Sequence, residues 1–400
     1  MGWGRRAGFC AVLTVLAMTP LGYAAEPVAR ALGTAEQLGE ALFFDVNLSR
    51  DRTQSCATCH APDFGFVDPR EGPPGRAVSI GDNGTSLGDR NAPTAGYAAY
   101  TPPFGKAKRP GLWRGGLFWD GRADRLEDQA GGPPLNPLEM GMPDKAAVVA
   151  RLKENPAYQD AMRRLCGASV FDRPEQAFAS MTRAIAAYER SPAFAPFDSK
   201  YDRYLRGEEK LTDKEELGRV LFFSQQFTNC SLCHKLNAQG GTPGETFSNY
   251  EFHNIGVPAN PALAAAGAVK PGFVDLGLAR NSMLGGKLLV KAQAGRFKTP
   301  SLRNVAVTGP YMHNGVFKDL RTVILFYNTY NTQNPDRRVN PETGAPFGPP
   351  EMAANISRTD LEVGPALDDR RIDALVAFLR TLTDRRYEPL LGPGDMHAAK

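Results

Sequence analysis

At 400 residues, with 42% hydrophobic and 22% charged residues, the chain is long enough for two cores and has the composition of an ordinary globular protein. Once Arg5 and Arg6 are set aside, 45 basic residues face 43 acidic ones with no basic tract, so composition gives no indication of nucleic acid or another polyelectrolyte as a partner. Beyond the N-terminal segment no stretch is apolar for long enough to span a bilayer, and 32 prolines with 41 glycines argue against a plain helical bundle.

The first element, residues 1–24, reads as a secretory signal peptide. Arg5 and Arg6 precede a short apolar run that ends in small residues, with cleavage after Ala24. Cys10 lies in that run without a lipoprotein-like context. The mature protein is therefore expected in the periplasm, without a membrane span.

A repeat follows. LGEALFF at 38–44 and LGRVLFF at 217–223 each come after a capping threonine, Thr34 or Thr212. Each leads through a loop to a similar hexapeptide, SCATCH at 55–60 and NCSLCH at 229–234. Two related halves are expected, 25–200 and 201–400. Helical periodicity adds 144–155, 174–190, 319–330 and 368–382, strand signals are scarce, and 65–118 reads as long ordered loop. The stretch 197–209 reads as the connection between halves. The fold class expected is mainly α, with two cytochrome c-like domains and long ordered loops.

Cys-x-x-Cys-His is the attachment motif of c-type haem. Two thiols two residues apart on one helical turn reach the two vinyl groups of a porphyrin, and the next residue offers its imidazole to the iron. Paired zinc knuckles lie close together, whereas these motifs are 174 residues apart, and a thioredoxin-type site needs no following histidine. Cys56, Cys59 and His60 are thus expected to hold one haem c, and Cys230, Cys233 and His234 another. Cys166, left alone, reads as a small buried hydrophobe.

The sixth iron position decides between electron transfer and peroxide chemistry. No histidine lies between His60 and His234. Met140, Met142, Met162 and Met181 could reach the first iron but read as core residues, which favours an open site there. For the second iron His253, Met283, Met312, His313, Tyr327 and Met352 all stay open on spacing alone.

The chain resembles the bacterial di-haem cytochrome c peroxidase and MauG superfamily over essentially its whole mature length. The segments that carry this include GDRNAPT (88–94), FWDGRADRL (118–126), LNPLEM (135–140), FHNIG (252–256), RFKTPSLRNVAVTGPYMHNGVF (296–317) and LFYN (325–328). In the peroxidases a methionine sixteen residues after the tyrosine of a PY(F/M)H motif ligates the second iron. Here that count from Tyr311 reaches Tyr327, the residue type of the MauG branch. The resemblance implies further roles. Trp119 would relay electrons between haems, Glu139 would be a proton-handling acid, and Gln129 and Pro133 would line the pocket. Asn91, with the carbonyls of Thr308 and Pro310, would bind one calcium ion, and His253 and His313 would be structural. Without the resemblance Tyr327 and Trp119 read as core residues, Asn91 as a turn residue and Glu139 as a solvated loop acid; His397 falls in a frayed tail.

The function so implied is a peroxide-dependent oxidoreductase of methylamine utilization. It would complete the tryptophan tryptophylquinone cofactor in precursor methylamine dehydrogenase by long-range electron transfer. The alternative is a di-haem cytochrome c peroxidase fed by a small electron-transfer protein; a pure electron carrier is disfavoured by the missing histidine. One position departs from the branch. Its members carry tryptophan two residues before the second motif, where this chain has Thr228 beside Phe227.

Overall fold

In a computed structural model, residues 1–2, 32–236 and 244–392 are described; apart from its first two residues the expected leader lies outside them, as does His397. Both threonine caps form. Thr34 Oγ1 accepts from the Gln37 N–H and the Gln37 side chain accepts from the Thr34 N–H, starting helix Ala35–Phe43. Thr212 and Glu215 close the same box ahead of helix Asp213–Phe223. Each box satisfies two of the N–H groups that a helix start leaves unpaired.

These equivalent helices pack in equivalent ways. Helix Ala35–Phe43 crosses Pro174–Glu189, and Asp213–Phe223 crosses Asp369–Arg380. The glycine of each LG pair makes the crossing possible. A Cβ on Gly39 would lie 1.8 Å from the Ala184 carbonyl oxygen, and one on Gly218 would lie 1.9 Å from that of Ala374. Gly218→Ala should therefore cost about 3 kcal/mol or more, an overpacking that side-chain rotation cannot relieve because the clash is with backbone. Chemical denaturation of the haem-loaded protein checks this, and an unchanged midpoint would refute the close-crossing argument.

The apolar interior forms two large clusters. One runs from Leu38 to Phe194 and takes in Met140, Met142, Met162 and Met181, with Cys166 packed against it. The other runs from Tyr201 to Leu382. Buried polar contacts tie distant segments together: Tyr97 donates to Asp384, Tyr387 to the Pro62 carbonyl, and Arg303 pairs with Asp202.

Strands are few, as expected. Among the described residues they form three two-residue antiparallel pairs, Gly105–Lys106 with Trp113–Arg114, Phe252–His253 with Phe297–Lys298, and Val339–Asn340 with Ala345–Pro346. Three details differ from the periodic reading. The expected helix 144–155 stops at Lys153, and a second helix, Pro156–Cys166, starts with Asn155 as cap and proline in its first turn. The 197–209 connection contains helix Lys200–Leu205, capped by Ser199. The 65–118 loop carries a short turn of helix at Ala98–Tyr100 and the first strand pair.

Candidate haem sites

Each Cys-x-x-Cys-His segment is a single helical turn, Cys56–Cys59 or Cys230–Cys233, and each turn borders a cavity. The first cavity, of about 300 Å³, is lined by Cys56, Cys59 and His60 with Trp119, Gln129, Pro133 and Glu139; Asn91, Thr308 and Pro310 complete part of its wall. The second, of about 240 Å³, is lined by Cys230, Cys233 and His234 with Trp119, His253, Met312, His313 and Tyr327. All the expected site residues thus fall on one cavity or the other. Of the methionines considered for the first iron only Met140 borders the first cavity, and Met283 and Met352 do not border the second.

The residues fit a haem in both places. His60 Nδ1 lies 3.1 Å from the Phe66 carbonyl oxygen, and His234 Nδ1 lies 3.1 Å from that of Phe247. A carbonyl only accepts, so Nδ1 carries the proton and Nε2 keeps the lone pair that iron requires. Burial pushes both imidazoles down, His234 to about 4, which keeps them neutral at pH 7. Burial also pushes the Cys56, Cys59 and Cys230 thiols up, Cys59 to about 12. A protonated thiol is what thioether formation across a vinyl group consumes, whereas a thiolate metal site lowers its thiols. No cluster of three or more His, Cys, Asp or Glu side chains suited to a bare metal ion occurs among the described residues.

Local chemistry narrows the second site. His253 sits between Asp360, 3.5 Å away, and Glu251, at 3.7 Å. Burial lowers its pKa, but Asp360, Cys233 and Glu251 outweigh that and raise it to about 11. The His313 ring stacks on Phe297 at 3.6 Å, and its Nε2 faces Glu351 at 3.3 Å. Tyr327, on helix Leu320–Asn328, borders the cavity, and its hydroxyl has no hydrogen-bond partner among the described residues. Burial pushes this phenol up.

The two cavities share a wall that includes Trp119, Lys298, Pro300, Tyr311 and Met312. Trp119 is fixed at both ends. Its Nε1–H donates to the Asn91 carbonyl at 2.8 Å, and its own carbonyl accepts from the Lys298 N–H at 3.0 Å. The Asn91 side-chain nitrogen donates to the Ala77 carbonyl at 3.1 Å, which leaves the amide oxygen as the group suited to a cation.

Known proteins resemble this chain over most of its length. The family described as di-haem cytochrome c peroxidase matches residues 34–210. Methylamine utilization protein MauG of Paracoccus denitrificans (strain Pd 1222) is 56% identical over 371 residues, 90% of this chain and 94% of that protein. The chain belongs to the di-haem cytochrome c peroxidase and MauG family. Cytochrome c551 peroxidase of Pseudomonas aeruginosa PAO1 is 30% identical over 292 residues, 72% of this chain and 70% of that one. The crystal structure of the diheme peroxidase BthA from Burkholderia thailandensis E264 matches with a TM-score of 0.78 at 33% identity, over 90% of this chain and 88% of that chain. The protein is accordingly an oxidoreductase acting with peroxide, and its family implies two c-type haems.

Two residues of this di-haem protein escaped the sequence reading. Lys298 lies in the shared wall, donates to the Gly116 carbonyl at 2.5 Å, and is pushed down to about 7 by burial, against the raising effect of Asp120. Glu189 ends helix Pro174–Glu189, is 5% exposed, borders the first cavity, and has no partner for Oε2. Burial pushes it up from 4.5 to about 8, with Arg190 opposing. In sequence Glu189 beside Arg190 looks like a solvated helix end; only the fold turns it inward.

A raised acid stabilises the fold below its unfolded pKa and loses that contribution as pH rises through the folded one. Wild type should therefore lose thermal stability between pH 4.5 and about 8 relative to Glu189→Gln, with the two coinciding near pH 4.5. Parallel melting curves across that range would rule out the buried neutral acid.

Proposed function

We propose that the mature protein is a periplasmic di-haem c oxidoreductase. It uses hydrogen peroxide to complete tryptophan tryptophylquinone in precursor methylamine dehydrogenase, a folded protein oxidised at long range. The observation that carries this reading is Tyr327 on the wall of the His234 cavity; by the resemblance, its spacing of sixteen residues from Tyr311 matches the position of the iron-ligating methionine of the peroxidase branch. The 56% identity to the Paracoccus MauG supports it.

In this reading each half, 25–200 and 201–400, is a cytochrome c-like domain. His60 Nε2 would hold the first iron, with no second protein ligand assigned to it, and His234 with Tyr327 would hold the second. When bound, the haems supply peroxide reduction and one-electron chemistry. A phenolate is a hard anionic donor and favours the oxidised states of iron. Glu139 handles the proton of the peroxide step. Its carboxylate accepts from Asn136 at 2.9 Å, and burial raises its pKa against Arg122 and Asn136, bringing it closer to working pH. Gln129 and Pro133 shape the peroxide pocket, Trp119 joins the two sites, and Asn91 with the Thr308 and Pro310 carbonyls holds calcium.

The second reading is a peroxidase drawing electrons from a small cytochrome, favoured by the 30% identity to the Pseudomonas peroxidase. One mixing experiment separates the two. Holoprotein, peroxide and precursor methylamine dehydrogenase are combined, and quinone absorbance is followed. Growth of the quinone band at catalytic protein concentration is expected. No quinone, together with rapid oxidation of reduced cytochrome c, would establish the second reading instead.

A further inference from the structure

A hollow of about 500 Å³ lies beside the first cavity, and the two share Phe118, Arg122, Pro133 and Glu139 as common wall. Those four side chains therefore separate an outer hollow, which also includes Asp124 and Asp128, from the space next to the His60 turn, and they are the neck of any route between the two.

The neck is built to stay narrow. Phe118 adopts φ +63, a left-handed conformation that costs a residue with a Cβ about 1 kcal/mol or more. The turn aims its ring at the opposite wall, where the ring tip would lie 3.5 Å from a Cβ placed on Gly132, the residue before Pro133. The Arg122 guanidinium covers the same ring at 3.7 Å from its centroid. Arg122 is itself anchored: Asp120, 2% exposed, accepts from it at 3.0 and 3.1 Å and is held from behind by Arg90 at 2.7 Å. An aromatic ring held in a strained conformation by a stacked and anchored cation makes a fixed obstruction rather than a loose surface side chain.

We infer that Phe118 and Arg122 are a size filter on the route to the first haem, admitting hydrogen peroxide and excluding alkyl hydroperoxides and organic reductants. The inference rests on the first site being open to exogenous ligands, as in the proposed function. It adds the determinant of peroxide specificity. It also gives a physical reason why an oxidising site can act on a folded protein at a distance without being discharged by small reductants. The polar side of the neck, Arg122 and Glu139, suits a small molecule that donates and accepts hydrogen bonds, and the Phe118 ring occupies the side where an alkyl tail would have to pass.

The test is ligand-binding kinetics on the ferric holoprotein, read from the haem absorbance and independent of turnover. Cyanide, imidazole and 4-phenylimidazole form a series of rising bulk. In Phe118→Gly, a change that the local φ favours, the 4-phenylimidazole association rate should rise about tenfold or more while cyanide changes by less than about threefold, tenfold being about 1.4 kcal/mol of barrier. Arg122→Ala should move the bulky ligand in the same direction and serves alone if the first variant fails to load haem. Equal bulky-ligand rates in wild type and both variants would overturn the filter. If no ligand perturbs the spectrum of any of the three proteins, the first haem has no open position, and the functional reading fails together with the filter.

Discussion

Tyr327→Phe should lower the rate of protein-substrate oxidation by about a hundredfold or more, which is about 2.7 kcal/mol of barrier, and should shift the low-spin component of the ferric spectrum. The substitution is mild for the fold. The ring keeps its place on helix Leu320–Asn328, and no hydrogen bond to a described residue is lost. Covalent attachment through Cys230 and Cys233 does not involve this hydroxyl, so haem content should stay near wild type, and a fall in melting temperature would report the lost iron ligand. Whatever changes then reports on the site. Four of the six ligand candidates are set aside by position or surroundings: Met283 and Met352 do not border the cavity, His253 faces Asp360 and Glu251 with its two ring nitrogens, and His313 is stacked and faces Glu351. A low-spin spectrum identical to wild type would remove Tyr327 as ligand and leave Met312, in the shared wall, as the group to examine next.

Legibility in the sequence followed the range of each interaction. Cap boxes are local, so Thr34 and Thr212 were readable three residues ahead of their partners. The LGEALFF and LGRVLFF repeat was readable as a pattern, but the reason for its glycines was not, because each glycine faces a carbonyl far along the chain. Covalent spacing made the cysteines and His60 and His234 legible, and the Nδ1 bonds that fix their tautomers reach carbonyls six and thirteen residues away. Trp119, Glu139 and Tyr327 were singled out by family motif rather than by periodicity, which assigned them to core or loop. Glu189 and Lys298 carried no local signal, since each becomes unusual only when the fold buries its charge.

The second large effect concerns the wall between the sites. Trp119→Phe should leave ligand binding at the first cavity close to wild type and lower protein-substrate oxidation by about a hundredfold. Trp119 borders both cavities, and its indole is held by a 2.8 Å bond to the Asn91 carbonyl at one end and by the Lys298 N–H on its backbone at the other. Phenylalanine keeps most of the ring volume, but it is far harder to oxidise and has no N–H, so a relay through the side chain fails while the wall stays filled. The lost bond leaves the Asn91 carbonyl unpaired, at a cost of about 1–3 kcal/mol, and a lower melting temperature is expected alongside the kinetic change. Trp113→Phe is the control: that indole stacks on Phe104 at 5.1 Å and borders neither cavity, so its loss should leave oxidation of the protein substrate unchanged. The comparison separates relay from packing. If the Trp119 variant is destabilised yet oxidises its protein substrate at the wild-type rate, the indole only fills the wall, and the connection between the two sites runs through its other members, of which Met312 and Tyr311 border both cavities.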